Sequence, residues 1–177
     1  FWNIKEIEIF SENKEKEKIL KFKNKNSNLF FMTRYENFYN KLNSDLKKSK
    51  FCKKILIKNS NFYKKILEKK KYNLFINCET NNEIYKKFFY SSFKKDYNSY
   101  AYSFIINHIQ TENKKASQVF TKLGPIAFLP ISRNQTSVVF SKNNENISLN
   151  QKMLEELIKK YSQDYKIKKF SKFEKFE

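Results

Sequence analysis

With 177 residues the chain is long enough for one domain with a real core or for a large piece of something bigger, and its 40% apolar and 18% aromatic content excludes wholesale disorder. The 37 Lys and Arg against 18 Asp and Glu leave a charge of +19, which on its face suits nucleic acid or an anionic membrane surface. Gly occurs once and Pro twice while Lys, Asn, Ile, Phe and Tyr abound; this is the usage of an AT-rich genome, in which solvated faces drift toward Lys. Charge therefore decides little, and the positive residues are expected on several sides of the molecule.

In chain order, Ile4 to Phe10 alternates and, after a lysine-rich turn, Ile19 to Phe22 follows, which predicts an exposed β-hairpin. Leu29 to Met32 reads as a short strand. Tyr35, Phe38, Tyr39, Leu42 and Leu46 then fall at helical spacing, the pattern of an amphipathic helix. A brief strand is expected at Ile55 to Ile57, one or two helical turns at Phe62 to Leu67, and a strand at Tyr72 to Asn77 entering a polar bend at Glu79 to Asn82.

Longer strands follow: Tyr97 to Ile109, Ala116 to Phe120, Pro125 to Ile131 and Thr136 to Phe140. The breaks between them are short and polar, which predicts a four-stranded antiparallel meander. Ser148 and Gln151 stand at capping-box spacing before Met153, Leu154, Leu157, Ile158 and Tyr161, a helix signal. Tyr165 to Phe176 alternates Lys with apolar residues and is expected to return as a strand.

His108 is the only histidine, so multi-histidine metal sites are excluded, and its place on an apolar strand suits a packed or a surface side chain rather than a general base. No metal site is predicted. The carboxylates are scattered beside lysines, as in solvated pairs. Cys52 and Cys78 lack paired-ligand spacing and suit a reducing cytoplasm. No apolar run approaches the roughly 20 residues needed to span a bilayer. One glycine cannot build a G-x-G-x-x-G or G-x-x-x-x-G-K-[ST] loop, and an RNA-binding aromatic motif is likewise missing, so nucleic-acid binding would rest on charge alone.

The informative stretch is Phe120-Thr-Lys-Leu-Gly-Pro-Ile-Ala-Phe-Leu-Pro-Ile-Ser132 followed by Arg-Asn-Gln-Thr-Ser-Val-Val-Phe-Ser141, which gathers Gly124, Pro125 and Pro130 on one apolar run. Proline removes a ladder donor, so the strand is expected at an edge, at a bulge or where its backbone faces something other than a partner strand, or else simply to begin and end at its prolines. This segment resembles the "GPLALLPL…SLVW" signature of FAD-dependent aromatic-ring monooxygenases that hydroxylate polyprenyl-phenol precursors of ubiquinone, a branch of the para-hydroxybenzoate hydroxylase fold. Upstream, Tyr72-Asn-Leu-Phe-Ile-Asn-Cys-Glu-Thr-Asn-Asn82 falls where that family has a strand ending in "GADGxNS", and Lys95-Asp-Tyr-Asn-Ser-Tyr-Ala101 where it has "DYxQxA". The order and spacing of the three blocks agree.

The resemblance implies an α+β fold: an antiparallel sheet over the flavin ring, peripheral helices, and a remnant of the FAD-binding α/β half over residues 72–90. All 177 residues would be one piece, the middle and substrate-side segment of the parent enzyme. It also implies FAD and NAD(P)H as cofactors of that parent, with contacts from Glu79, Thr80, Gly124 and Pro125. An aromatic or polyprenyl substrate would lie in a cavity lined by Ile126, Phe128, Leu129, Pro130 and Ile131. In that family reduced flavin and oxygen carry the hydroxylation, so no side chain here is expected to act as nucleophile or base.

Where the family has Asp-Gly this chain has Glu79 and Thr80, and it has Asn77 where a glycine is usual. The family's first flavin motif would lie before Phe1 and its "GDAAH" motif after Glu177, so the chain, which opens mid-strand, reads as an internal piece that alone holds no FAD tightly. A cytoplasmic protein, peripheral to the inner membrane, is expected. A non-catalytic homologue serving assembly or lipid binding, a hydroxylase of a soluble phenol, and a basic nucleic-acid binder are the alternatives.

Overall fold

The computed structural model describes residues 1–12, 17–24, 26–56, 61–68, 72–79, 82–89, 91, 93, 95, 99–143, 149–162 and 165–176. Its elements are β1 Trp2–Ile4, β2 Glu6–Ser11, β3 Lys18–Lys23, β4 Phe30–Met32, α1 Tyr35–Lys48, α2 Asn61–Glu68 and α3 Glu83–Phe88. They continue with β5 Ser99–His108, β6 Lys115–Thr121, β7 Gly124–Pro130, β8 Gln135–Asn143, α4 Gln151–Tyr161, β9 Ile167–Phe170 and β10 Glu174–Phe176. The class is α+β, and the chain divides into two compact units, Phe1–Lys41 with Tyr97–Glu177, and Leu42–Asp96.

The first unit is built on a mixed sheet of order β10-β5-β8-β7-β6-β2-β3, with β9 also on β5. β6, β7 and β8 are joined by tight turns and pair antiparallel in sequence, as their short polar breaks dictate. β5 departs from the predicted meander: it pairs with β8, Tyr102 opposite Phe140, rather than with β6. The six residues from Ile109 to Lys114 carry the chain across the intervening strands, giving a Greek-key order. The expected hairpin forms, with Ile7 opposite Phe22 and Ile9 opposite Leu20. It is not an isolated ribbon, because β2 also runs parallel to β6, Ile7 against Ala116, and Ile4 belongs to a separate pair, β1 with β4.

β7 lies inside the sheet, not at an edge. Its prolines occupy the second and last positions of the strand, where the ladder ends and a missing N–H is tolerated. β9 and β10 are two parts of one edge along β5. The interruption between them puts Phe173 4.2 Å from the Phe104 ring, while the Ser171 hydroxyl accepts the Ile105 N–H at 2.8 Å.

Alternate residues of β5 to β8 point toward α4. Phe104, Ile126, Phe128, Val138 and Phe140 meet Leu154 and Ile158, which are four apart and so share one helix face. Each large side chain buried this way contributes about 1.5–3 kcal/mol. Asn150 caps α4, its Oδ1 accepting the Met153 N–H at 2.9 Å; the capping expected of Ser148 falls outside the described residues.

In the second unit, Asn82 caps α3 by accepting the Tyr85 N–H at 2.8 Å, and Tyr85 stacks on Phe89 at 5.8 Å. The strand expected at Tyr72 to Asn77 does not form. Its apolar residues pair with no neighbouring ladder, and a β-strand without a partner leaves its backbone groups to water. Ile55 and Leu56 are likewise not strand; Ile57 lies outside the described residues. α1 forms as predicted, but none of its residues is buried.

Candidate functional site

Because β7 alternates, the signature run splits between the two faces of the sheet. Ile126, Phe128 and Pro130 are buried toward α4, whereas Pro125, Leu129 and Ile131 are half-buried on the other side, so the run does not line one cavity. On the side away from α4, the register places Ala127 opposite Val139 and Val139 opposite Ser103, with Ser137 between Leu129 and Ile105. The middle of that face thus consists of small or thin side chains, flanked by Leu129 and Ile105.

Gly124 has a cause within the strands themselves. Its φ is +131°, and a Cβ there would stand 1.9 Å from the Ser141 carbonyl oxygen. A glycine at this turn is required by the approach of β8, and no ligand is needed to explain it.

Glu79 lies in the second unit, exposed, 3.5 Å from the Tyr63 hydroxyl and 3.4 Å from Asn82 Nδ2. The same loop is closed by Asn82 Nδ2 donating to Asn77 Oδ1 at 2.7 Å. Thr80, the other half of the altered pair, lies outside the described residues. Among the described residues no group of three or more His, Cys, Asp and Glu could hold a metal ion, and no helix is long and apolar enough to cross a membrane.

A polar cluster that the sequence reading missed sits on the α4 side. Glu8, only 4% exposed, is ion-paired with Lys18, with Lys115 at 3.2 Å and with Lys21 at 3.3 Å. Burial by itself would raise its pKa, but hydrogen bonds and charge from Lys18, Lys115 and Lys21 together outweigh that and hold it at about 2. Lys21 also meets Glu6 at 2.9 Å, and these contacts raise the lysine's own pKa.

Glu12 behaves alike. Donation from the Tyr161 hydroxyl, then from the Lys122 N–H at 2.7 Å, holds it at about 2, and Lys160 adds its charge at 3.3 Å. Burial and the same carboxylate push the Tyr161 hydroxyl up. Together these bonds tie the end of α4 to β2 and to the β6–β7 turn.

Behind this cluster His108 is packed, 2% exposed. Its Nδ1 donates to the Ile109 carbonyl at 2.8 Å and its Nε2 lies 3.1 Å from Thr136 Oγ1. Asn113, at φ 47°, is the hub of the crossover from β5 to β6. Its amide donates to the Ser132 carbonyl at 2.6 Å and the Gln135 carbonyl at 3.1 Å, its Oδ1 accepts the Tyr165 hydroxyl at 3.1 Å, and its carbonyl accepts the Trp2 indole N–H at 2.6 Å.

Two clefts open beside this network. One, of about 210 Å³, has Phe10, Val119 and Phe128 at its base and Glu8, Lys115 and Tyr165 on its walls. The other, of about 540 Å³, shares Lys115 and Tyr165 and adds Lys5, Lys23 and Lys114. Compared with known protein families and with curated proteins, the chain matches none of them.

Proposed function

We propose that this chain is the substrate-side segment of an FAD-dependent monooxygenase that hydroxylates a phenolic or polyprenyl-phenol ring in ubiquinone biosynthesis. The observation that carries the reading is the signature of Gly124 to Pro130 and Ser137 to Phe140: its two runs become the neighbouring strands β7 and β8. Away from α4 they present a face of Ala127, Ser137 and Val139 flanked by Leu129 and Ile105. Flat, thin side chains suit contact with a planar ring, and the aliphatic flanks suit a prenylated one.

The residues present fit such a group in part. The sheet offers a ring-sized surface, but 177 residues with one glycine contain no loop whose backbone amides could cradle a pyrophosphate. Those contacts fall to other parts of the parent enzyme. When bound, FAD supplies the oxygen chemistry; this chain's role is to seat the ring and exclude water.

Glu79 and Thr80 in place of Asp-Gly favour a second reading, a non-catalytic homologue that keeps the fold for assembly or lipid binding. Purification of the parent protein with its flanking sequence separates the two. The monooxygenase reading expects a yellow protein whose NAD(P)H oxidation is stimulated by a prenylated phenol and yields a hydroxylated ring. A colourless protein that takes up no FAD on titration overturns it.

A further inference from the structure

A third cleft, of about 650 Å³, lies at the crossover from β5 to β6 and is lined by Trp2, Gln110, Thr111, Glu112, Lys114 and Arg133. All of these residues belong to the first unit. Three of them converge on Asn113. The Trp2 indole N–H donates to the Asn113 carbonyl at 2.6 Å, and Asn113 Nδ2 donates to the Ser132 carbonyl at 2.6 Å. Lys114 follows Asn113 in the chain and Arg133 follows Ser132, while the Thr111 N–H meets the Arg133 carbonyl at 2.9 Å. Trp2, Lys114 and Arg133 are thus each bonded to Asn113 or adjacent to a residue that is. With neighbouring Cα atoms about 3.8 Å apart, one ligand about 10 Å long reaches all three.

Because its N–H is already held, the Trp2 indole offers the cleft its ring carbons rather than a donor. Arg133 is one of two arginines among 37 basic residues, and its planar fork matches phosphate oxygens in a way that a lysine does not. The other, Arg34, donates to Gln135 Oε1 at 2.6 Å. Unlike the lysines around Glu6 and Glu8, Lys114 and Arg133 form no ion pair with a described residue, and neither does Glu112. The cleft therefore sets two such cations and one such carboxylate about an aromatic surface. A bare anion would meet repulsion from Glu112. A flat ring with N–H donors at one end and an anion at the other uses every group, because Glu112 accepts from the ring while the cations hold the anion.

We infer that this cleft binds a nucleoside phosphate, its base on the Trp2 indole with Glu112 accepting N–H groups of the base, and its phosphate held by Arg133 and Lys114. The phosphate is gripped by side chains, so the site needs no glycine-rich loop, and it does not depend on the reaction proposed above. A free mononucleotide and the end of a single strand share this chemistry.

Trp2 is the only tryptophan, so its fluorescence, corrected for absorption by the base, reads stacking directly. Titrating the 177-residue chain with GMP should quench it saturably, with half-saturation above the micromolar range and below about 1 mM. Guanosine, which lacks the phosphate, should bind at least about tenfold more weakly. Ribose 5-phosphate, which lacks the base, should displace GMP only at about tenfold higher concentration or more. Arg133→Glu with Lys114→Glu should weaken GMP binding about tenfold or more while circular dichroism remains that of the parent. Glu112→Gln should weaken GMP but leave ribose 5-phosphate unaffected. A 5′-phosphorylated single-stranded hexanucleotide separates the two sources: binding about tenfold tighter than GMP identifies a strand, and equal binding a free nucleotide. No saturable quenching below about 1 mM GMP, equal binding of guanosine, or unchanged affinity in the charge-reversed variant would overturn the inference. Should that variant fail to fold, guanosine and ribose 5-phosphate on the parent chain still decide.

Discussion

Substituting Gly124→Ala tests whether the sole glycine is demanded by the approach of one strand to another. At φ +131° an alanine carries backbone strain of about 1–3 kcal/mol. Its Cβ would also lie 1.9 Å from the Ser141 oxygen and 3.0 Å from the Ser141 carbonyl carbon. Relief requires the start of β7 to move from β8 by about 1 Å or more, which disturbs ladder hydrogen bonds worth about 1 kcal/mol each. The expected destabilisation is about 4 kcal/mol, a large part of the 5–15 kcal/mol typical of a domain. Trp2 is the only tryptophan and is bonded to Asn113 in the same unit, so urea unfolding followed by its fluorescence reads the effect. With a slope of about 2 kcal/mol per molar urea, the midpoint should fall by about 2 M. Truncating Ser141 to Gly should not rescue the variant, because the obstructing atoms are backbone. A loss under about 1 kcal/mol, or rescue by Ser141→Gly, would refute the reasoning.

Asn113→Ala should cost about 3 kcal/mol in the same assay, since it leaves the Tyr165 hydroxyl and the Ser132 carbonyl without their amide partner. Phe128→Ala, at 1% exposure beneath α4, should cost about 3–5 kcal/mol through the cavity it leaves. Stability should decline in acid: Glu8 and Glu12 titrate near 2 in the folded chain against an ordinary 4.5, so their contribution is present above pH 4.5 and is lost as pH falls toward 2. For Glu8 this loss is about 2 kcal/mol after solvent screening is allowed for, and Glu8→Gln should flatten the decline in an acid titration. Titrating the chain with FAD should give no saturable fluorescence quenching at about micromolar concentration, because no helix start with glycine-rich amides is present to receive the pyrophosphate.

The strands from Ala116 to Phe140 were legible because each alternates within itself and is separated from the next by a turn of a few polar residues. The place of β5 was not. Its pairing with β8 depends on a crossover held by Asn113, whose bonds reach back to Trp2 and forward to Tyr165, separations that no local pattern encodes. Tyr72 to Asn77 shows the converse failure, since apolar residues suited to a strand yield one only if an edge is there to receive them.

The carboxylates were read as solvated partners of nearby lysines, and Glu8 departs from that in being buried on one side of the β2–β3 hairpin. The parallel neighbour β6 turned that side into a core face, and the lysines that make burial tolerable come from β3 and β6. The alternation of Lys21 and Lys23 was a visible signal, since cross-strand pairing places Lys21 directly opposite Glu8 and Lys23 opposite Glu6. Gly124 and Pro125 were assigned to a cofactor by resemblance, while the steric demand on Gly124 comes from Ser141, a residue whose approach becomes visible only in three dimensions.

β3 is the terminal strand of the large sheet, exposed along its whole length, with Leu20 and Phe22 each about half accessible. An apolar, accessible strand at the end of a sheet is a template on which a second copy could stack into an aggregate. Three of the four lysines that neutralise Glu6 and Glu8 stand on this same strand, so any copy adding edge to edge would bring Lys18, Lys21 and Lys23 against their own kind. The charge that makes an interior carboxylate tolerable therefore also acts as a gatekeeper against self-association, and salt, by screening it, weakens that protection.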